Sequence, residues 1–264
     1  MGTESILKST NYSQKLFLSY GNWKQVNVCR LDNFITEIGH WSGDTGLSVV
    51  GAQFDYSEYN PGLFRKYNVV KGDNLKFAVN KRQAEYLVGR YCALKALEKL
   101  SKQDMAAYTV LSGKHREPLW PENIVGSISH TSDCALCAVG NANVFYGIGI
   151  DLEVILTPLQ AQDVALQVHN THELQQLKAV GISDHVATTI LFSAKESLFK
   201  GIFSQVGEYF GFEKACLINI NSKLARLDFK LDSAFILAHD LPSAISCHYQ
   251  IENGMVLTRC VLYR

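Results

Sequence analysis

The stretch VFYGIGIDLEV, residues 144–154, alternates apolar and other side chains with near-strict regularity. Its even-numbered positions are all apolar or aromatic, whereas Gly147, Gly149, Asp151 and Glu153 take odd-numbered positions. Since successive side chains of a strand point to opposite faces, the stretch predicts a strand with one core face and one face that carries two carboxylates beside two glycines. The glycines are expected to leave room for a ligand to approach the backbone.

Two adjacent carboxylates repel each other unless a cation or a proton lies between them. Oxygen-only ligation at a partly open site is what Mg²⁺ prefers, so Asp151 and Glu153 are candidate metal ligands. The alternative is an acidic, solvent-exposed face at the end of an ordinary strand, and this segment alone does not decide between the two.

A second segment, LFSAKESLFKGIF (191–203), belongs to a predicted long helix with an apolar stripe at helical spacing. Glu196 and Lys200 lie four residues apart and therefore share a face. A carboxylate on a helix that is buried on most sides needs a partner. Glu196 either forms a simple ion pair with Lys200 or completes a metal site with the two strand carboxylates, in which case Lys200 faces a phosphate.

The chain is electrically neutral, with 25 Lys and Arg against 25 Asp and Glu over 264 residues. This balance excludes nucleic-acid binding through the whole surface, which requires a basic protein. Residues 65–102 nevertheless hold ten basic and three acidic residues, so this stretch is a candidate site for a small polyanion, with a solvated helix face as the alternative. A predicted helix from about Asn80 to Leu100 places Arg82 and Arg90 about 80° apart around its axis, so one ligand could touch both.

The order of the predicted elements indicates an α+β fold with two comparable halves, each a small sheet packed on a long helix. The first half spans residues 1–143 and the second 144–264, with the active site expected in the cleft between them. Residues 41–63 are rich in glycine and turn formers and are expected to be irregular. Residues 215–264 alternate apolar and polar side chains in short runs, which predicts several strands.

The seven cysteines are scattered and mostly set in apolar contexts, which is typical of reduced core residues in a cytoplasmic protein. No signal-peptide core is evident, and no run approaches the ~18 apolar residues of a membrane span. Zinc at His130, Cys134 and Cys137 is disfavoured, because no second pair lies at ligand spacing. An offset of three also puts the two cysteines on opposite faces of a strand.

The pairing of GIGIDLE (147–153) with FSAKESLFK (192–200) resembles the signature of the 4′-phosphopantetheinyl transferases, in the spacing of the single-chain, surfactin-type group. Three further stretches resemble the enterobactin-synthetase D-component branch: RQAEYLVGRYCA (82–93), REPLWPENIVGSISHT (116–131) and YFGF (209–212). The similarity covers roughly residues 80 to 215. It implies two halves related by a pseudo-two-fold and transfer of the phosphopantetheine arm of coenzyme A to a serine of an apo carrier protein, with release of 3′,5′-ADP.

The resemblance also implies roles for individual residues. Asp151, Glu153 and Glu196 match the magnesium ligands, and Glu196, or a water that it polarises, matches the general base. Lys200 matches the lysine that contacts the phosphate. Coenzyme A contacts are implied at Ser129 and His130, with a satisfied core histidine as the alternative for His130, and at Arg82 and Arg90. One further contact is implied within the cluster Lys114, His115 and Arg116, without a choice among the three. Lys195 is either another contact or an exposed residue.

The implied partners are coenzyme A and carrier proteins or carrier domains, most naturally those of siderophore or other nonribosomal peptide assembly. A monomer is expected, because two halves of one chain can form the site, and neither nucleic acid nor stable membrane insertion is expected. Two rival interpretations remain open. One is a magnesium-dependent phosphohydrolase or nucleotidyl transferase, and the other is a non-catalytic subunit that docks carrier domains.

Overall fold

Two antiparallel sheets and two long helices dominate the computed structural model of the chain, which describes residues 19–20, 23–42, 46–101 and 108–264. The first sheet contains β1 (Ser19–Tyr20), β2 (Trp23–Cys29), β3 (Ile35–Ser42), β4 (Leu47–Phe54), β5 (Ile124–His130) and β6 (Cys134–Asn141). The second contains β7 (Phe145–Val154), β8 (Ala215–Asn221), β9 (Arg226–Leu231), β10 (Ala244–Glu252) and β11 (Met255–Tyr263). The helices are α1 (Leu63–Lys66), α2 (Asn80–Ser101), α3 (Pro158–Val168), α4 (Thr171–Ala179), α5 (Asp184–Val206) and α6 (Ser233–His239).

The strand order is β1-β2-β3-β4-β6-β5 in the first sheet and β7-β11-β10-β9-β8 in the second. Each half contains a strand, then its long helix, then a hairpin whose last strand pairs with that first strand. These elements are β4, α2 and β5–β6 in the first half, and β7, α5 and β10–β11 in the second. The predicted α+β architecture of two comparable halves is confirmed, and the shared connectivity supports their predicted pseudo-two-fold relation.

The first sheet ends with β6 at Asn141, and the second begins with β7 at Phe145. The predicted boundary between residues 143 and 144 falls in the turn that joins them. That the halves are separate domains stays a prediction. The expectation that no signal-peptide core is present concerns residues 1–18, and the basic stretch ends at Lys102; both lie outside the described residues. None of the helices within the described residues is long and apolar enough to cross a membrane.

Within the described part of the chain, three apolar cores hold these layers together. One lies between α2 and the first sheet and a second between α5 and the second sheet. The third joins the opposite faces of the two sheets and includes Trp41, Leu136, Ile148 and Ile150. Cys137 belongs to the first core and Cys134 to the third, so the two cysteines lie on opposite faces of β6, as their offset predicts.

The expectation of an irregular stretch at residues 41–63 is wrong for its middle part. Residues 47–54 form β4, a strand that pairs on both sides with β3 and β6. Val49 packs in the core between the sheets and Val50 in the core beneath α2. Because both faces of β4 are buried, its sequence lacks the apolar–polar alternation that marks a half-exposed strand. The strands predicted in residues 215–264 are confirmed.

Candidate active site

The site depends on an unusually close contact between β7 and α5. A Cβ atom added at Gly149 would lie 1.7 Å from the carbonyl oxygen of Ser197, and one at Gly147 would lie 1.8 Å from that of Gly201. The expectation that these glycines leave space for a ligand is therefore wrong, because the backbone of α5 takes that space. The contact brings the polar face of α5 against the polar face of β7.

The alternation predicted for β7 holds at its centre. Ile148, Ile150 and Leu152 are buried between the sheets, and Asp151 lies on the opposite face with 3% of its surface exposed. Phe145 departs from the pattern, since it is buried in the same core as Ile148. The cause is a register shift opposite Leu262 and Tyr263 in β11, which changes the phase of the strand.

Lys200 of α5 forms an ion pair with Asp151 of β7, with 2.6 Å between Nζ and Oδ1. The same ammonium group donates to the carbonyl oxygen of Ile150 at 3.2 Å and to the hydroxyl of Ser129 at 3.3 Å. Lys200 thus pairs across to the strand, a partner that neither interpretation of the helix motif named. Asp151, Lys200 and Ser129 come from three separate elements and meet at one point.

Glu153 and Glu196 lie close enough to Asp151 for its charge to affect both. Burial raises the pKa of Glu153 to about 7, with Asp151 and Glu196 adding to the effect and Lys200 opposing it. Burial also raises the pKa of Glu196, again with Asp151 adding and Lys200 opposing. A buried carboxylate that lacks enough positive charge nearby resists ionisation, so the cluster favours one more cation.

The donor chemistry of this cluster fits Mg²⁺. Three carboxylates supply the hard oxygen ligands that the ion prefers. Asp151 Oδ2 is buried and has no hydrogen-bond partner among the described residues. Within those residues, no three acidic, histidine or cysteine side chains already form a metal cage, and the Lys200 ammonium lies beside Asp151 Oδ1. That these residues bind magnesium stays a prediction.

A second polar group lies where the start of α2 meets the end of β5. Arg82 Nη1 lies 2.6 Å from His130 Nε2, and Glu85 is 3.5 Å from Arg82 and 3.8 Å from His130 Nδ1. Burial, Arg82 and Lys200 together lower the pKa of His130 to about 4. The imidazole is therefore neutral at pH 7 and accepts a hydrogen bond from Arg82.

Arg90 does not share the surface of Arg82. It is 8% exposed, donates to Ser112 Oγ at 3.0 Å and to the Leu111 carbonyl at 3.4 Å, and lies over the ring of Tyr86. The expectation that one ligand touches both arginines is not met in this arrangement. Arg90 instead holds the segment that leads into the turn carrying the basic cluster.

That turn, between Ser112 and Pro118, reaches across to the second half. The ring of His115 makes edge contacts with Phe203 and Tyr209, at centroid distances of 5.9 and 5.7 Å. His115 and Arg116 line the cavity described below, whereas Lys114 is not among its lining residues. The structure therefore favours Arg116 over Lys114 as a ligand contact, and gives His115 a role in joining the halves.

Two predicted coenzyme A contacts are buried and already bonded to other side chains of the protein. Lys195 is 3% exposed and pairs at 2.9 Å with Glu173, which is 2% exposed. It is therefore neither a surface residue nor part of the site, and α5 presents only Glu196 and Lys200 of its motif to the cluster. The Ser129 hydroxyl is buried and donates to Asp151 at 3.0 Å, so it supports the carboxylate.

A cavity of about 1140 Å³ lies between the two halves. The first half contributes Arg116, Trp120 and Ile128 to its wall, and the second contributes Glu196 and Lys200. Much of the remaining wall is aromatic and comprises Phe199, Phe203, Tyr209, Phe210 and Phe212. The general base and the phosphate-contacting lysine that the resemblance implies thus face the cleft where the active site was expected.

Sequence reasoning missed Ser127, whose hydroxyl bonds both backbone groups of Ile150. Ser127 and Ser129 are two residues apart, which places both hydroxyls on one face of β5. This spacing in the sequence could have indicated that Ser127 accompanies Ser129. The aromatic wall at Phe203 and Tyr209 was also missed, because nothing local links those residues to His115.

Comparison with known proteins agrees with the family that the sequence motifs indicate. The sequence model of the 4′-phosphopantetheinyl transferase N-terminal domain matches residues 72–140, and that of the 4′-phosphopantetheinyl transferase superfamily matches residues 147–253. Enterobactin synthase component D of Salmonella typhi is 31% identical over 179 residues, which cover 67% of this chain and 73% of the relative.

Enterobactin synthase component D of Escherichia coli (strain K12) is 29% identical, over 82% of this chain and 96% of the relative. The 4′-phosphopantetheinyl transferase PptT of Mycobacterium tuberculosis is 27% identical, over 70% and 81%. The chain belongs to the 4′-phosphopantetheinyl transferase superfamily. Within it, the chain falls in the branch of the enterobactin synthase component D proteins.

Proposed function

We propose that the protein transfers the 4′-phosphopantetheine arm of coenzyme A to a serine of an apo carrier protein and releases 3′,5′-ADP. The carriers are those of a nonribosomal peptide or siderophore synthetase, as the enterobactin relatives suggest. The observation that carries the proposal is the convergence of Asp151, Glu153, Glu196 and Lys200 across the close contact of β7 and α5, with the last two in the cavity wall. The proposal includes a monomer, since one chain forms the whole cleft, and a cytoplasmic location, since all seven cysteines are free thiols.

Glu196 is the proton acceptor in this proposal. The serine oxygen forms a bond to the phosphorus that carries the pantetheine arm, and the bond between that phosphorus and the ADP oxygen breaks. The serine proton passes to the Glu196 carboxylate, directly or through one water, and the negative charge leaves on 3′,5′-ADP. Burial raises the pKa of Glu196, which makes the ionised form a stronger base than an exposed glutamate.

Lys200 and the strand carboxylates bind the phosphates. The Lys200 ammonium stabilises charge on the phosphoryl oxygens, which grows as the bond breaks. Asp151, Glu153 and Glu196 would hold Mg²⁺, which when bound would neutralise pyrophosphate oxygens. Arg82 and the neutral imidazole of His130 lie at the other end of the polar surface, where they bind the phosphate at the nucleotide end, and Arg116 provides a further cation in the cavity wall.

The decisive experiment incubates the protein with coenzyme A, Mg²⁺ and an apo carrier protein, and weighs the carrier by mass spectrometry. A gain equal to the phosphopantetheine arm, with 3′,5′-ADP released in equal amount, supports the proposal. Absence of that gain across several peptidyl, aryl and acyl carriers would overturn it. Consumption of coenzyme A without any carrier would instead support a phosphohydrolase.

A matched pair of variants tests the assignment of the base. Glu196→Gln should lower transfer by at least about 100-fold, the usual range for a general base, while coenzyme A still binds. Glu122→Gln, which changes an exposed glutamate on the same chain, should leave the rate unchanged. Equal transfer rates for Glu196→Gln and Glu122→Gln would show that Glu196 is not the general base.

A further inference from the structure

The two sheets meet at β5 and β7 without a shared backbone ladder. Among the described strands, β5 pairs through its backbone only with β6, and β7 only with β11. The backbone groups of β7 that face β5 therefore need other partners, because a buried amide or carbonyl left unpaired is costly.

Two serine hydroxyls of β5 supply those partners. The Ser127 hydroxyl accepts from the Ile150 amide at 3.1 Å and donates to the Ile150 carbonyl at 3.4 Å. The Ser129 hydroxyl accepts from the Leu152 amide at 3.0 Å and donates to Asp151. Both serines are almost fully buried, at 2% and 5% exposed.

These bonds hold β7 on both sides of Asp151. Ile150 precedes the aspartate and Leu152 follows it, so each neighbour is bonded to one serine. The Ile150 carbonyl oxygen also accepts from Lys200. The peptide group between Ile150 and Asp151 therefore links Ser127 to both Asp151 and Lys200. The Ser127 hydroxyl itself contacts neither of these two side chains.

We propose that Ser127 is a positioning residue for the transfer reaction. Its hydroxyl fixes the edge of β7 against β5, so that Asp151 and Lys200 of the second half stay aligned with Arg82 and His130 of the first. The inference rests on the proposed function, because the alignment matters only if one substrate spans both groups. A displacement of about 1 Å between reacting groups can cost 10²-fold in rate.

The test compares Ser127→Ala with Ser48→Ala. Ser48 lies on β4, is 4% exposed, and its hydroxyl has no hydrogen-bond partner among the described residues, so its loss controls for removal of a buried serine. Ser127→Ala should lower kcat at least about tenfold with KM for coenzyme A changed less than about twofold, and Ser48→Ala should change neither.

A purely structural role would lower the unfolding temperature of Ser127→Ala but leave kcat per folded molecule intact. Amide hydrogen exchange tests the hydrogen bond itself, because Ser127→Ala should speed exchange at Ile150 under native conditions, with little change in Ser48→Ala. The value of kcat per folded molecule then separates the two roles. Ser127→Thr keeps the hydroxyl and should restore slow exchange and kcat together.

Unchanged exchange at Ile150 in Ser127→Ala, an unchanged kcat per folded molecule, or a fall in kcat that Ser48→Ala reproduces would overturn the inference. The exchange measurement needs no activity. If the wild-type protein transferred nothing to any carrier, the proposed function would fail while the hydrogen bonds of Ser127 could still be tested.

Discussion

Lys200 Nζ lies 2.6 Å from Asp151 Oδ1, so a protein cation already lies against one flank of the predicted magnesium site. Asp151 is almost fully buried, whereas a quarter of the Lys200 side chain is exposed. The lysine therefore compensates a carboxylate that would otherwise lie buried beside two further acidic groups. Lys200 thus has a structural role in the ion pair, and the chemical role proposed for it can be separated from this role by experiment.

Replacing Lys200 by methionine should lower the free energy of unfolding by about 1–3 kcal/mol at pH 7, because Asp151 loses its ion-pair partner. The partial exposure of Lys200 keeps the effect below that of a fully buried pair. Urea titration with and without Mg²⁺ measures it. If the carboxylates bind the metal, Mg²⁺ should stabilise the variant more than the wild type, and an equal shift for both proteins would argue against metal binding here.

Gly149→Ala should destabilise the protein by about 3 kcal/mol or prevent folding, because its methyl group would overlap the Ser197 carbonyl and push α5 away from β7. Gly62→Ala is the matched control, since its Cβ meets only the side-chain tip of Asn60 at 3.1 Å and its φ of −65° suits alanine. Thermal unfolding of both variants measures the difference. A Gly149→Ala protein as stable as Gly62→Ala would contradict the close contact.

Lys195→Met should lower the free energy of unfolding by about 3–5 kcal/mol, because the buried Glu173 carboxylate then has no positively charged partner. That carboxylate also accepts from the amides of Asn170 and Leu217, so the pair ties α4 and β8 to α5. The double variant Lys195→Met with Glu173→Gln should regain part of the loss, since no buried charge remains. Calorimetric titration should give the folded double variant wild-type affinity for coenzyme A. A clear loss of coenzyme A affinity in the double variant would instead indicate that Lys195 contributes to the binding site.

Asp32 should make stability depend on acid pH. Burial alone would raise its pKa, but hydrogen bonds from Lys66, Tyr67 and two backbone amides lower it from 3.8 to about 2. A folded pKa below the unfolded value gives stability that is complete above pH 3.8 and is lost as the pH falls towards 2. Between about pH 4 and pH 2, the wild type should therefore lose stability faster than Asp32→Asn in urea titrations. If the free energies of unfolding of the two proteins changed in parallel with pH, Asp32 would make no contribution to the acid dependence of stability.

Regular periodicities made much of this architecture predictable. The period of two in residues 144–154 and the helical stripe of α5 placed the three carboxylates and Lys200 on the correct elements. β4 escaped prediction because both of its faces are buried. The partners of Lys195 and Lys200 escaped it too, since Glu173 and Asp151 lie 22 and 49 residues away and local spacing says nothing about them.

The two glycines of β7 illustrate another limit. A missing side chain shows that something approaches the backbone, but not whether it is a ligand or a helix. Likewise, Arg90 fits a ligand contact by its position on the helix, and only its hydrogen bonds to residues 111 and 112 show that one end of its guanidinium group is already bonded within the protein.

The contact between the glycines of β7 and the backbone of α5 has a mechanical consequence. With no side chains between them to slide or reorient, strand and helix must travel as one rigid body that carries the three carboxylates and Lys200 together. Any widening of the cleft to admit a bulky carrier therefore cannot come from separating this strand from this helix. The distances among the three carboxylates and Lys200 are thereby insulated from breathing motions of the molecule.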